Sequence, residues 1–261
     1  MKQYRFSREL NQSIVNGILN GYKSYVEERN EKRRTMKISD AYAWVKGNHI
    51  DDQTAIECED IGILYKKARA GYTWGYLQFS SSDNKSMFII KNAKYFNPDN
   101  FPGGKTIHGE HIQTRDHETY LKKLSRINEN VEFPEEYSLF DESHEFEMLS
   151  IFDDQVLKSL EDDEVTQLQK EYSKFYIVTY EIDEAFLISK IQLWMPNPVN
   201  NIAYLVEDLS ELIGESNVNL AELDTTVLNN DIYDYDDSIT AIDFGIAIDD
   251  ETKKSKKDGQ G

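Results

Sequence analysis

Residues 61–91, IGILYKKARAGYTWGYLQFSSSDNKSMFIIK, decide the fold class of this chain. Three stretches of this segment are rich in aromatic and β-branched residues, as strands are. These stretches are Ile63–Arg69, Tyr72–Ser80 and Ser86–Lys91. Ala70-Gly71 and Ser82-Asp83-Asn84 separate them and are typical of the turns between antiparallel strands. The pattern therefore predicts an antiparallel β-meander.

Helices are predicted on both sides of the meander. Apolar residues recur at helical spacing from Leu10 to Val26, which predicts a long first helix. Its polar end, Glu27–Arg34, finishes in cations that suit the negative end of a helix dipole. Ser39 is a plausible cap for a short second helix over Asp40–Lys46. Residues 114–128 form an amphipathic pattern and predict a third helix.

The second half of the chain mixes the same two element types. We predict a helix over Ser150–Tyr172 and a hairpin of Phe175–Ile182 with Ala185–Met195, turning at Asp183-Glu184. Residues 202–213, IAYLVEDLSELI, are predicted to be helical. The fold class is therefore α+β: helices plus an antiparallel β-meander and hairpins.

Charge divides the chain into two parts. Residues 1–128 carry 21 Lys and Arg against 15 Asp and Glu, a net charge of +6. Residues 129–261 carry 8 against 33, a net charge of −25. We predict two lobes, a basic helical and β-meander lobe at 1–130 and an acidic α+β lobe at 131–252, followed by a disordered basic tail at 253–261.

The acidic lobe suggests three uses. Acidic runs are typical of solvated faces that aid solubility. Such a surface would also engage a basic protein surface, including one on a nucleic-acid-handling protein, since it repels nucleic acid and anionic membranes. It would alternatively dock against the basic half of its own chain.

The cellular context follows from what the sequence lacks. Its N-terminal residues carry charges and no apolar run of signal-peptide length, so we expect a cytoplasmic protein that does not contact membrane. Cys58 is the only cysteine, which excludes an intrachain disulfide. It lies between Glu57 and Glu59, whose carboxylates should raise the pKa of its thiol, and we expect a half-buried strand residue without a catalytic role.

Two familiar motifs fail at their diagnostic positions. Gly103-Gly104-Lys105-Thr106 resembles the end of a phosphate-binding loop, but Asp99 stands where that loop needs glycine. Residues 234–245 resemble a calcium loop, but Ile239 replaces the required glycine and Gly245 the required glutamate. The meander also lacks the Glu-x-Lys of restriction-type nucleases.

A histidine-rich segment is one site candidate. Its imidazole and carboxylate groups are ligands that zinc uses, and a bound water would then serve a metal-dependent hydrolase. The candidate metal ligands are His108, His111, Asp116 and His117. The alternative is that they are polar residues leading into a helix, with the carboxylate near its positive end.

The first hairpin is a second site candidate, for nucleic acid. Its candidate residues are Lys66, Lys67, Arg69, Tyr72, Trp74 and Tyr76. Strand alternation places the three aromatic residues on one face, and Lys67 with Arg69 on a face of the partner strand. Aromatic rings beside cations would stack bases and contact phosphates. The alternative is that the rings face the core.

The function expected from the sequence is binding rather than catalysis. We expect an intracellular interaction protein whose acidic C-terminal lobe engages a basic or nucleic-acid-handling protein. The alternatives are nucleic-acid binding through Lys66–Tyr76 and hydrolysis by a divalent metal held at 108–117.

Overall fold

Six strands form one sheet in which spatial neighbours follow chain order. The computed structural model describes residues 1–70, 74–81, 85–103, 119–134 and 165–230. The strands are β1 (Ile63–Ala70), β2 (Trp74–Ser81), β3 (Ser86–Asn92), β4 (Lys174–Ile182), β5 (Ile188–Pro196) and β6 (Ala203–Asp208). Neighbours are antiparallel except β3 and β4, which run parallel. The predicted α+β class is confirmed.

The predicted meander is confirmed, but its two ladders differ in length. β1 and β2 pair over their whole length, from Ile63 opposite Ser81 to Ala70 opposite Trp74. β2 and β3 share only three pairs, and the last of them joins Phe79 to Phe88. The distal part of the β1–β2 hairpin therefore extends past the pairing with β3.

The predicted second hairpin is also confirmed, with a wider turn than expected. β4 ends at Ile182 and β5 begins at Ile188. The Asp183 carboxylate accepts hydrogen bonds from the backbone N–H groups of Ala185 and Leu187, both at 2.9 Å. Phe186 has φ 58, in the left-handed region, which lets the chain reverse direction there.

The helix predicted over 202–213 is wrong. Residues Ala203–Asp208 form β6, and only Ser210–Ile213 turn helically, as a 3-10 helix. Tyr204 and Val206 are buried while Leu205 between them is 43% exposed, which is the alternation of a strand. Pairing with β5 outweighs helical spacing in this segment, because propensity is a weak prior against tertiary contacts.

The long first helix is confirmed as α1 (Arg8–Thr35). The Ser7 hydroxyl caps it by accepting from the Leu10 backbone N–H at 3.2 Å. The short second helix predicted over Asp40–Lys46 is present as a 3-10 helix over Asp40–Val45, and α2 (Lys46–Glu59), which follows, was not predicted. Cys58 lies in α2 and is fully buried, so its expected place in a strand is wrong.

Two glycines bring α1 and α2 into close contact. A Cβ added at Gly17 would lie 2.4 Å from Thr54 Cα, and one added at Gly21 would lie 2.4 Å from Ile50 Cα. No larger side chain fits at either position without moving backbone. The sequence of α2 hides this contact, because its buried positions include the polar Thr54 and lack a clear apolar stripe.

The third helix is shorter in the described residues than predicted. α3 (Tyr120–Ser125) is capped by Thr119, whose hydroxyl accepts a hydrogen bond from the Lys122 backbone N–H at 3.3 Å. Residues 114–118 lie outside the described part of the chain. Residues 165–171 are helical, as predicted, and the rest of the helix predicted from Ser150 also lies outside it.

Helices cover both faces of the sheet. One core joins α1 to alternate strand residues such as Phe88, Val178 and Leu193. The other joins α3 to intervening residues such as Ile89 and Ile177. No helix among the described residues is both long enough and apolar enough to cross a bilayer.

Asn128 fastens the second core to the sheet. It is fully buried, and its amide donates to the carbonyl oxygens of Phe175 and Pro196, each at 2.9 Å. Its side-chain oxygen accepts from the Phe175 backbone N–H at 2.7 Å. One side chain thus joins the start of β4 to the end of β5.

The two halves of the chain meet in the sheet and at its β6 edge. β3 and β4, from opposite halves, are hydrogen-bonded neighbours. Arg5 pairs with Glu207 at 3.4 Å and Arg8 with Glu215 at 2.6 Å. At these two pairs the acidic half docks on its own basic half. The division into lobes at 130/131 stays a prediction.

Candidate functional site: a cleft beside the first hairpin

A cleft of about 690 Å³ separates α2 from the β1–β2 hairpin. Both elements contribute polar and charged side chains to it. The cleft is lined by Asn48, Asp51, Asp52 and Ala55 of α2 and by Tyr65, Lys67, Ala68, Arg69, Gly75, Tyr76 and Leu77 of the hairpin. Its volume lies within the range of small-molecule sites, which is about 300–1,000 Å³.

Asp51 sets the distance between the two walls. One of its carboxylate oxygens accepts a hydrogen bond from the Leu77 backbone N–H at 2.7 Å. Leu77 lies beyond Phe79, where pairing with β3 ends, so this N–H has no strand partner on that side. The carboxylate satisfies a donor that would otherwise be lost, and it ties the hairpin to α2.

One face of the hairpin carries Tyr65, Lys67 and Arg69. This face is continuous with the side of the sheet that packs against α1. The three residues alternate along β1, and the register places them on the same face as Leu77 and the buried Phe79. Tyr65 is 57% exposed, and both cations are exposed. Neither cation has an ion-pair partner in the part of the chain that the structure describes.

The predicted placement of the hairpin aromatics beside these cations is wrong for Tyr76. Its register partner is Ala68, so it belongs to the opposite face from Lys67 and Arg69. There its ring lies 5.4 Å from that of Tyr120, and it packs against the second core. The alternative stated above, that the aromatics face the core, is therefore correct for Tyr76.

Of the other candidate residues on the hairpin, the structure describes the side chain of Lys66 but not those of Tyr72 and Trp74. Lys66 is exposed and shares the face of Tyr76, since it pairs with Gln78. Tyr72 and the side chain of Trp74 lie outside the described residues. The aromatic residue that does accompany Lys67 and Arg69 is Tyr65.

The cleft has walls of opposite charge. Lys67 and Arg69 stand on the hairpin, and Asp51 and Asp52 stand on the first two turns of α2. Asp52 is exposed, while Asp51 is half-buried. The cleft therefore suits a ligand that carries a negative group at one end and hydrogen-bond donors at the other.

The predicted metal ligands are not placed by the structure. His108, His111, Asp116 and His117 all lie outside the described residues. Within the described ranges, no group of three or more His, Cys, Asp or Glu side chains is placed to hold a metal ion. The metal-dependent hydrolase stays a prediction.

A chain of hydrogen bonds joins α1 to α2 near Gly21. The Ser24 hydroxyl lies 3.0 Å from His49 Nδ1, and His49 Nε2 lies 3.0 Å from a Glu28 carboxylate oxygen. These are the residue types of a hydrolase triad, but Ser24 is in mid-helix, where backbone N–H groups bond carbonyls of the preceding turn. We therefore assign the contact to helix packing.

Cys58 is unsuited to nucleophilic chemistry. Burial raises the pKa of its thiol to about 12, and the nearby Glu57 carboxylate raises it further in the same direction. The predicted direction of the carboxylate effect is confirmed, and burial is the larger cause. A neutral, buried thiol neither attacks a substrate nor binds a metal.

Comparison of the chain with known protein families, with curated proteins and with solved structures finds no match. The site must therefore be judged on its own residues. Sequence alternation alone could have found Tyr65, which precedes Lys67 by two positions in a predicted strand. Asn48 and Asp52 could not have been found, because the helix that carries them was not predicted.

Proposed function

We propose that this protein binds single-stranded nucleic acid through the face formed by Tyr65, Lys67 and Arg69. One observation supports the proposal: an exposed aromatic ring and two exposed cations alternate on one face, beside a cleft. Single-strand binders combine cationic grooves with aromatic side chains on which bases stack. Tyr65, Lys67 and Arg69 are side chains of these two kinds on one strand face.

Each of the three side chains has a distinct part in this binding. Alternate residues of a strand lie about 7 Å apart, so Lys67 and Arg69 present two separate positive charges along β1. The guanidinium of Arg69 forms paired hydrogen bonds with a phosphate, whereas Lys67 acts as a point charge. Tyr65 offers its ring face to a base without first leaving a core.

The described carboxylates at the β6 edge do not oppose this proposal at the hairpin itself. β1 and β6 are opposite edges of the sheet, and five strand spacings separate them by about 24 Å. Exposed charges are largely screened beyond about 8 Å at physiological ionic strength. Carboxylates near β6 therefore have little effect on phosphate bound at β1.

Fluorescence anisotropy with a short labelled single strand at low salt tests the proposal. Reversing both charges, with Lys67→Glu and Arg69→Glu, should weaken binding at least about tenfold and reduce its salt dependence, since fewer counterions are released. The matched control is Lys2→Glu with Lys190→Glu, two exposed cations of the β5–β6 side. It makes the same change in net charge.

Two results would count against nucleic-acid binding at this face. One is a native protein that binds no oligonucleotide at low salt. The other is a control double variant that loses as much affinity as the hairpin double variant, because binding would then depend on net charge alone.

A second candidate function is docking of the acidic C-terminal half on a basic protein surface. Residues 191–252 contain no Lys or Arg, and the described carboxylates of Glu211 and Glu222 are exposed. Asp208 is also exposed; although burial acts to raise its pKa, hydrogen bonds from Ser210 lower it overall, so it stays charged. This surface is where a cationic partner would bind.

A salt gradient tests this second function. A basic protein captured from lysate at low salt should elute before about 1 M salt, where the screening length is about 3 Å. Glu211→Lys with Glu222→Lys should lower its retention. A partner that stays bound through high salt would contradict charge-driven docking.

A further inference from the structure

We infer that the acidic segment 231–252 occupies the hairpin face of Tyr65, Lys67 and Arg69 when no nucleic acid is bound, so that a single strand must displace it. The inference rests on the proposed function and concerns the regulation of that same site. It is supported by the exposed hairpin cations, by the charge of the segment and by the place where the described chain ends, at Asn230.

The hairpin face suits an extended, negatively charged chain. β1 is an outer strand of the sheet, and neither Lys67 nor Arg69 is ion-paired within the described residues. The two cations are two positions apart on one face, about 7 Å along the strand. A chain that pairs with an edge strand adds main-chain hydrogen bonds to the contacts of its side chains. Such a chain would bind best with carboxylates at the same spacing.

Segment 231–252 has this composition. It contains eight Asp and Glu residues and no Lys or Arg. Asp234 and Asp236 are two positions apart, so in an extended chain they would lie about 7 Å apart on one side, as the two hairpin cations do. Each carboxylate would take the place of one phosphate, since both groups accept hydrogen bonds from Arg and Lys. The segment therefore competes for the same groups as a nucleic-acid strand.

The described chain ends on the side of the sheet to which this face belongs. A 3-10 helix over Thr225–Asn230 buries Val227 and Leu228 in the core that contains α1. The Arg33 guanidinium, near the end of α1, donates to the Thr226 carbonyl oxygen at 3.4 Å. Segment 231–252 therefore starts beside the C-terminal end of α1.

The hairpin is within reach of that point. Gly21 of α1 packs against α2 at Ile50, and the neighbouring Asp51 accepts a hydrogen bond from Leu77 of the hairpin. Arg33 lies about 18 Å farther along α1, and α2 adds a diameter of about 10 Å. The start of the segment is thus about 30 Å from the hairpin, a distance that about nine extended residues span.

The other strongly acidic segment, residues 135–164, starts at the wrong edge. Phe133, just before it, packs its ring 5.3 Å from that of Tyr204 in β6. β6 is the opposite edge of the sheet, about 24 Å from β1. We therefore assign the hairpin face to 231–252.

Docking within one chain needs little intrinsic affinity. A segment tethered by a short linker is present at an effective concentration in the millimolar range. A contact whose Kd is about 0.1 mM would then be formed in about nine molecules of ten and would weaken binding of a strand about tenfold. Competition of this size lowers the affinity for nucleic acid without abolishing it.

NMR without nucleic acid tests the docking itself. A nitroxide is attached to the full chain through Ser238→Cys, while Cys58 is buried and stays unlabelled. The amide signals of Lys67 and Arg69 should be broadened, and the amide signal of Lys190 in β5 should not. High salt should remove the broadening, because it screens exposed charges.

Three results would overturn docking at this face. One is the absence of broadening at Lys67 and Arg69. Another is broadening at Lys37 alone, which would place the segment on the exposed cations just past the end of α1. The third is equal broadening in a mixture where the nitroxide and the isotope label are on different molecules, since the segment would then dock on a second copy.

Anisotropy titrations with a short labelled single strand test the competition. The variant neutralises four carboxylates of 231–252 through Asp234→Asn, Asp236→Asn, Asp237→Asn and Asp243→Asn. It should bind the strand at least about fivefold more tightly than the native chain, because the competitor is lost. The matched control should change affinity less than about twofold, since it neutralises four carboxylates that start at the distant edge. It consists of Glu135→Gln, Glu136→Gln, Asp141→Asn and Glu142→Gln.

The inference and the proposed function fail separately. If the native chain binds the strand and neither set of substitutions changes its affinity, the inference is wrong while binding at the hairpin stands. If both sets tighten binding equally, general charge sets the affinity and the inference is again wrong. If the broadening is observed but no variant binds a strand, the acidic segment docks with no strand to exclude, and the proposed function is wrong.

Discussion

The two edges of the sheet differ in whether their cationic side chains are paired with carboxylates. At the β6 edge, carboxylates of the second half pair with Arg5 and Arg8 from the chain's own beginning. At the β1 edge, Lys67 and Arg69 are exposed and meet no carboxylate within ion-pair distance in the described residues. Arg5 and Arg8 are paired with carboxylates of the chain itself, whereas Lys67 and Arg69 leave their positive charges exposed.

The β4–β5 region and the distal part of the β1–β2 hairpin also differ in how they are attached to the rest of the protein. Asn128 joins β4 to β5 with three buried hydrogen bonds, whereas the β1–β2 hairpin beyond Phe79 is attached by the hydrogen bond from Leu77 to Asp51 and by the packing of Tyr76 against the second core. Charged residues on an exposed edge strand also prevent unwanted pairing with other sheets. The comparison indicates that the start of β4 and the end of β5 are joined through buried polar contacts, while the hairpin is joined to α2 and α3 at its exposed margin.

The largest effect is expected from Asn128→Ala. It removes two donors and one acceptor inside the second core and leaves backbone groups of β4 and β5 unsatisfied, so the free energy of unfolding should fall by about 3 kcal/mol. Urea denaturation measures this loss. The control is Asn219→Ala, an exposed turn residue that should cost less than about 1 kcal/mol. Equal losses would contradict the special role of Asn128.

Alkaline pH should act on the β1 side through Cys58. Its pKa rises from an ordinary 9.0 to about 12 on folding, so the stabilisation is present below pH 9 and is lost as pH rises toward 12. Between pH 9 and 10.5 the free energy of unfolding should fall by about 1.5 kcal/mol through this group. In Cys58→Ala that component should disappear. An unchanged alkaline slope in the variant would show that other groups cause it.

Asp51→Ala should loosen the hairpin without unfolding the sheet. The Leu77 amide loses its acceptor, so its hydrogen exchange should quicken about tenfold, while overall stability falls by about 1 kcal/mol. The amide of Ile177 in β4 is the internal control. Exchange at Leu77 that matches the native rate would mean that another group holds the hairpin.

The smallest effect is expected at the β6 edge itself. Arg8 and Glu215 form a close pair, but their side chains are 74% and 49% exposed, so water and salt screen the attraction. A double-mutant cycle with Arg8→Ala and Glu215→Ala should give a coupling energy of about 0.5 kcal/mol. A coupling above about 1.5 kcal/mol would mean that this edge is held more firmly than its exposure suggests.

The sequence predicted elements whose residues carry a clear period. The apolar spacing of α1 and the aromatic and β-branched runs of β1 to β5 correspond to what the structure contains. The sequence-based prediction failed at β6. The stretch IAYLVEDL fits the spacing of a helix as well as that of a strand, and pairing with β5 selects the strand. The prediction also failed at α2, because packing against Gly17 and Gly21 removes the need for an apolar stripe.

The candidate site was predicted only in part for the same reason. Lys67 and Arg69 were identified from strand alternation, but their neighbours across the cleft come from α2, which no local pattern indicated. The face of Tyr76 depends on register, and register is fixed by the turn and by burial together. Contacts between distant segments therefore carried the information that the sequence lacked.

The parallel pairing of β3 with β4 has a kinetic consequence. Each of the outer three-stranded units can form from residues near one another in the chain, but this central ladder joins Ser86 to Lys174, 88 positions later. Closing so long a loop is entropically costly and slows folding. We expect the two meanders to form first and to join last, so that newly synthesised chains spend their longest unprotected period with the middle of the sheet open.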